Sequence, residues 1–287
     1  MKILICKICF FLSYIGYAQL PETDIWLFKV EKKDGKYTCT NPLNINNRKG
    51  YDNQPIFTPN GKQILYVGIK EDLQADIYSY DISKKTHTNI TQSKVSEYSP
   101  TLLPSGLGLS CVVVEQDSAQ RVWEFGFDGK FIKITHEQTD SIGYHTWLNK
   151  DTMLYFKLTE PQSLHALNLK TNEDVWLCNH PSRSFKKMNT TNEFMYAIKD
   201  STMMEFRIYN PTLRESKLYC IYNSLNEDFI WHHEFGLVKA ENAQLLRYNE
   251  QLKSWEILFD FSNNGIKKIT RFVFDDKTKQ LAIVSNL

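Results

Sequence analysis

The stretch NQPIFTPNGKQILYVGIKEDLQADIYSYDISKKTHTNIT, residues 53–91, decides the fold. Gln54-Pro55-Ile56-Phe57-Thr58 reads as a short strand, and Pro59-Asn60-Gly61-Lys62 as a tight turn made of residues suited to one. Ile64-Leu65-Tyr66-Val67 forms a second strand and Asp76-Ile77-Tyr78-Ser79-Tyr80-Asp81 a third, alternating and aromatic. Ser83-Lys84-Lys85 then turns the chain into a fourth strand ending near Ile90-Thr91. Four short, turn-punctuated strands in about 40 residues make one blade of a propeller.

The unit recurs with decay. Pro100 to Gly106 repeats its Pro-x-x-x-Pro-x-Gly spacing, and Val122 to Phe125 with the turn Asp128-Gly129-Lys130 completes a second blade. Met153-Leu154-Tyr155-Phe156, Phe194-Met195-Tyr196-Ala197 and Phe235-Gly236-Leu237-Val238 open three further second strands. Second-strand starts at Ile64, Leu109, Met153, Phe194 and Phe235 are 45, 44, 41 and 41 residues apart. Helical repeats of that period would need apolar residues at i, i+3, i+4 and i+7 over long windows. The segments are instead short, alternating and broken by Gly, Asn, Asp and Pro, so no helix is expected.

The ends complement each other. The chain opens on a third-and-fourth strand pair, Asp24–Phe28 and Tyr37–Thr40 around the turn Lys33-Asp34-Gly35-Lys36. It closes on a first-and-second pair, Ile269–Phe274 and Gln280–Val284. Joined, the halves make a sixth blade and remove the exposed sheet edges that an open array would leave. The expected architecture is all-β: a single six-bladed β-propeller over residues 19–287, closed by pairing of N- and C-terminal half-blades.

Gln54-Pro55-x-Phe57-x-Pro59-Asn60-Gly61-Lys62-x-Ile64, Asp76-Ile77-Tyr78-x-Tyr80-Asp81 and Ile90-Thr91 resemble the repeat of the TolB-type, WD-repeat-like propeller family. The second blade matches about half of that pattern, and the others share its rhythm. The resemblance implies a Pro-Asp-Gly turn linking the two inner strands and a scaffold or interaction role. The fold hosts many functions, so it implies no particular activity.

Lys2 and Lys7, the apolar run Ile8–Tyr17 and Gly16-Tyr17-Ala18 have the layout of a secretory signal peptide over residues 1–18, with Gln19 as the mature start. No other stretch is apolar over the roughly 20 residues that a membrane-spanning helix needs. A periplasmic or secreted, monomeric protein is expected. With 34 basic and 33 acidic residues well mixed, the chain lacks the basic footprint of a nucleic-acid binder. Cys6 and Cys9 fall in the signal segment, and Cys39, Cys111, Cys178 and Cys220 show neither disulfide nor metal spacing, so free buried thiols are expected.

No Gly-x-Ser-x-Gly, phosphate loop or His-Glu-x-x-His occurs, which favours binding over catalysis. On a strand His232-His233 would point to opposite faces, an obstacle to ligating one metal, and a turn with one imidazole near the central channel is favoured. The pairs Asp72/Asp76, Glu227/Asp228 and Asp275/Asp276 lack the ligand density of a calcium loop and read as solvated turn carboxylates. Trp26, Tyr78, Trp123, His165, Phe206 and Leu246 fall in third strands, where packing between blades wants bulk. Tyr51, Tyr98, Tyr144, Phe185 and Trp231 fall near innermost-strand starts, where a propeller opens its channel. With Gln54, His145, Asp228 and Arg271 they form the candidate ligand site, suited to an envelope protein, peptide or glycan. Neither cofactor nor metal is expected. The rival reading is a lyase or glycoside-processing enzyme using His145, His232 and Asp228.

Overall fold

The computed structural model describes residues 21–70, 73–188 and 191–286. The predicted signal segment and Asp72 lie outside the described residues. Two strands open the chain, β1 (Thr23–Lys33) and β2 (Lys36–Asn44). The first repeat follows as β3 (Tyr51–Phe57), β4 (Gln63–Ile69), β5 (Ala75–Asp81) and β6 (Thr86–Asn89). The second is β7 (Ser96–Leu102), β8 (Gly108–Val114), β9 (Gln120–Gly126) and β10 (Phe131–Ile134). The third is β11 (Ile142–Asn149), β12 (Thr152–Lys157), β13 (Ser163–Asn168) and β14 (Glu173–Asn179). The fourth is β15 (Pro181–Lys187), β16 (Phe194–Lys199), β17 (Met204–Asn210) and β18 (Glu215–Tyr222). The fifth is β19 (Phe229–His232), β20 (Gly236–Glu241), β21 (Gln244–Asn249) and β22 (Ser254–Asp260). The chain ends on β23 (Ile269–Asp275) and β24 (Gln280–Asn286). Among the described residues the only helical turn is 3-10, at Ser262–Asn264, and no helix is long and apolar enough to cross a membrane.

Repeats two to five are each a four-stranded antiparallel sheet in chain order. The remaining eight strands form one larger sheet, ordered β23-β24-β1-β3-β4-β5-β6 with β2 on β1. A single parallel pair, Thr23 with Tyr51, joins its two halves. One half is the first repeat. The other unites the chain ends: β1 runs antiparallel to β24 from Thr23–Asn286 to Lys29–Gln280. Second strands begin at 63, 108, 152, 194, 236 and 280, preserving the period read from sequence.

Packing explains the residue pattern. Second strands are covered on both faces, so β4 and β8 are buried almost throughout and read as continuous apolar runs. Fourth strands lie outermost, and β6 and β10 are mostly exposed. The apolar clusters lie between consecutive units. Leu65, Val67 and Ile77 meet Leu109, Cys111 and Phe125. Val112 and Val122 meet Ile142 and Tyr155, Phe156 and Leu164 meet Phe185 and Tyr196, and Phe206 meets Phe229 and Leu237. Val238 and Phe259 meet Phe272 and Ile283, while Ile25 and Val284 meet Phe57 and Tyr66. Tyr78 and Phe206 are buried in such clusters, Trp26 and Trp123 pack on them, and His165 stacks on Tyr155 at 5.1 Å.

The diagnostic turn has a second task. Gly61 has φ +66°, and a Cβ there would sit 2.4 Å from Asp275 Oδ2. The Pro59 carbonyl also accepts the Lys277 ammonium. The turn between β3 and β4 thus docks on the turn between β23 and β24. Cys39, Cys178 and Cys220 lie on the fourth strands β2, β14 and β18; all four described cysteines are free, and burial pushes those three thiols up to about 12.

Candidate functional site

Innermost strands depart from regular pleating. β3 has a bulge between Asn53 and Ile56, β7 between Tyr98 and Thr101, β11 between Ile142 and Tyr144, and β23 between Ile269 and Arg271. Gln54 (φ 56°) and Ser99 (φ 54°) hold left-handed backbone at two of these. Bulges re-aim side chains and strengthen twist. Here they occur where six innermost strands face a common space.

That space has two chambers. The rear one, of about 310 Å³, takes its wall from β3, β7, β11, β15, β19 and β23, each contributing at least two residues. The front one, of about 540 Å³, opens beside Tyr51, Asn53, Asp228, Thr270 and the segment Ser224–Glu227. Tyr144, Arg183 and Arg271 line both and form the waist between them.

One carboxylate organises the waist. Arg271 Nη1 donates to Asp228 Oδ1 at 2.7 Å, and Arg183 Nη2 to Asp228 Oδ2 at 2.6 Å. Both guanidinium groups also reach the Thr270 carbonyl at 3.1 Å. The Arg271 guanidinium lies 5.8 Å from the Tyr144 ring centroid, within cation–π range. Glu227 is spent beside them, accepting the Arg183 amide at 2.7 Å and the Lys199 ammonium at 2.8 Å. Burial pushes the Tyr51 phenol up to about 12, against the pull of Arg271.

The rear chamber is cationic. Lys186 and Lys187 line it with Arg183 and Arg271, and Asp276 is its one carboxylate. Lys186 and Lys187 are both exposed to the channel space. Lost solvation and the neighbouring Arg271 charge lower the Lys186 ammonium to about 8, with Asp228 opposing.

His232, His233 and Asp276 form a second cluster at this end, the one group of potential metal ligands among the described residues. The opposite-faces geometry does not apply, because β19 ends at His232 and His233 enters the turn; the two rings lie 4.7 Å apart. His232 Nε2 lies 2.8 Å from Asp276 Oδ1, and His233 Nδ1 lies 3.2 Å from Oδ2. The Glu234 amide donates to His232 Nδ1 at 3.2 Å, which leaves the proton of neutral His232 on Nε2, facing the carboxylate. That tautomer suits a carboxylate-oriented imidazole and opposes metal ligation through Nε2.

Of the nine residues proposed from sequence, eight line the channel, though not as one ring. Tyr51 and Asp228 face the front chamber, while Gln54, His145, Phe185 and Trp231 line the rear. Tyr144 and Arg271 stand at the waist. Tyr98 lines neither chamber: with the bulge after it, it packs on the clusters either side of its sheet. His145 is buried with Nε2 2.7 Å from Ser110 Oγ, and burial lowers it to about 3, so it is a neutral wall residue. Gln54 Oε1 accepts the Ser99 amide at 2.6 Å, tying β3 to β7. Of the enzyme reading's three residues, His145 and His232 line the rear chamber, and Asp228 lines the front one, clasped by two arginines. Asp76, Glu227 and Asp228 are not solvated turn carboxylates, whereas Asp276 is an exposed turn residue paired with His232. Asp76 is buried on β5 and accepts from Asn89 and Gln74. Sequence reasoning missed Arg183, Lys186 and Lys187, although three cations in five residues of one innermost strand were visible.

No family model and no curated protein matches this chain. Among solved structures it is similar to the putative TolB from Agrobacterium tumefaciens, at 8% identity and TM-score 0.65, covering 93% of this chain and 99% of that one. It is also similar to a chain of a nidogen/laminin complex, at 8% identity and TM-score 0.63, covering 92% and 98%. A third is an oligogalacturonate lyase in complex with manganese, at 10% identity and TM-score 0.55, covering 88% and 83%. These likenesses show a TolB-like β-propeller fold; binding proteins and enzymes both occur on it.

Proposed function

We propose that the protein is an exported, non-enzymatic six-bladed propeller that holds an envelope protein, peptide or glycan in its channel. The observation carrying this reading is the rear chamber, lined by β3, β7, β11, β15, β19 and β23 and joined to the front chamber through the Arg183–Asp228–Arg271 waist. Ring closure is supported by six apolar clusters between consecutive units and by the β1–β24 pairing. Export is supported by the layout of residues 1–18. The test is affinity capture from envelope extract by the mature protein and by Tyr144→Ala and Trp231→Ala. The same partner should be lost in both variants, and capture unchanged in both overturns the reading.

A second reading keeps the channel but adds catalysis. His232 and Asp276 both line the rear chamber, 2.8 Å apart, which supports an exported lyase or glycoside-processing enzyme with a channel His/carboxylate site. Turnover of an uronide or glycoside panel that disappears in His232→Ala would favour it over binding alone.

A further inference from the structure

We propose that the rear chamber is a receptor for an acidic peptide segment, a carboxylate of which sits between Lys186 and Arg271. This rests on the channel-binding reading and names its ligand class.

Charge is the first ground. Four cations line the chamber, Arg183, Lys186, Lys187 and Arg271, against the single carboxylate of Asp276. Asp276 is engaged by His232 and His233. Asp228, at the waist, carries one negative charge between two guanidinium groups. Neither Lys186 nor Lys187 has a hydrogen-bond or ion-pair partner in the described protein, and Arg183 Nε is buried without an acceptor. Both ammonium groups face the channel without a counter-ion, and a carboxylate arriving there forms charge-assisted bonds with them. Other cations inside the fold have such partners: Lys239, fully buried, pairs with Glu241 at 2.9 Å and stands over the Tyr222 ring. The Lys186–Lys187 pair instead faces the open space of the chamber.

Wall chemistry is the second ground. Ile56, Ile230, Phe272 and Val273 line the chamber with the cations and Trp231, beside polar Gln54, Ser99, Thr101 and Ser184. Such a mixed wall suits a peptide, whose aliphatic side chains meet the apolar residues while its backbone amides and carbonyls meet the polar ones. A chamber of about 310 Å³ admits an acidic side chain or chain terminus with its neighbour, not a folded domain.

The test is calorimetric titration of the full mature chain with a Glu-Leu repeat hexapeptide, its Gln-Leu counterpart and a galacturonic acid oligomer. The Glu-Leu peptide should bind at least tenfold more tightly than the Gln-Leu peptide and weaken between 50 and 500 mM salt, roughly as screening requires. Lys186→Gln and Lys187→Gln, both solvent-accessible and expected to fold, should each lose several-fold in affinity. Equal binding of both peptides overturns the acidic-ligand inference and leaves the channel reading standing. Uronide binding that depends on Lys186, without peptide binding, overturns the peptide assignment. Glu-Leu binding unchanged in Lys186→Gln and in Trp231→Ala overturns the inference and places that binding outside the channel. The channel reading itself falls only if envelope capture is also unaffected by Tyr144→Ala and Trp231→Ala.

Discussion

Arg183 and Arg271, on innermost strands either side of β19, grip opposite oxygens of the same Asp228 carboxylate, at 2.6 and 2.7 Å. The three residues belong to three different units, so this clasp ties successive units together at the axis as well as narrowing the channel. Asp228→Ala would leave two guanidinium groups facing each other. Because the carboxylate is buried while both arginines retain partial exposure, the expected loss is about 2–4 kcal/mol, at or below the cost of breaking a buried pair. Chemical denaturation of Asp228→Ala beside Asp228→Asn checks it, the Asn variant keeping one hydrogen bond and losing less.

Removing residues 280–287 would delete a strand paired on both sides, to β1 and to β23. Leu281, Ala282, Ile283 and Val284 are all fully buried. The truncated chain should lose its cooperative thermal transition; a sharp transition within a few degrees of the parent would contradict the observed pairing.

Gly129 and Gly35 offer a matched comparison. Both hold left-handed backbone, at φ +77° and +78°, but a Cβ at Gly129 would lie 1.7 Å from the Ile90 carbonyl oxygen, whereas at Gly35 nothing lies within 4 Å. Gly35→Ala should cost about 1 kcal/mol, from backbone strain alone. Gly129→Ala should cost clearly more, because the neighbouring chain must move. Equal melting shifts for the two would contradict the close approach.

Glu97 is fully buried on β7, accepting the hydroxyls of Ser93 and Thr91, and burial pushes its carboxyl up to about 7. A carboxyl with a raised folded-state pKa binds more protons folded than unfolded. Its contribution to stability therefore falls as pH rises from about 4.5 to about 7. Asp52, raised by burial to about 6 against the pull of Arg48, acts in the same sense. His145, lowered by burial to about 3, acts oppositely: it is neutral when folded, and stability falls as pH drops below about 6.5. Glu97→Gln should thus gain stability relative to the parent at pH 8, by on the order of 1–3 kcal/mol. The gain should shrink towards pH 5. A difference that stays constant across that range would refute the assignment.

Periodicity and punctuation sufficed for the strand order, because each unit is built from local hairpins whose turns carry their own chemistry, as Pro59-Asn60-Gly61 does. The complementary ends were equally legible: Asp24–Phe28 and Gln280–Val284 are apolar strands with a local partner on one side only, and each covers the other's open side. Buried second strands such as Ile64–Val67 announced themselves as unbroken apolar runs.

The site was legible only as a neighbourhood. Side-chain direction on an innermost strand depends on where its bulges fall, and one inserted residue reverses every side chain beyond it. That is why Tyr98 turned to the packing between sheets while Tyr144, near the equivalent position, reached the waist. It is also why His145 became a neutral wall residue and Lys186 a lone cation in the channel. Hairpin order is written in short-range signals that a chain carries within itself. Which charges meet across the axis depends on how separate units are rotated and pleated against each other, and the Arg183–Asp228–Arg271 clasp exists only once they are packed together.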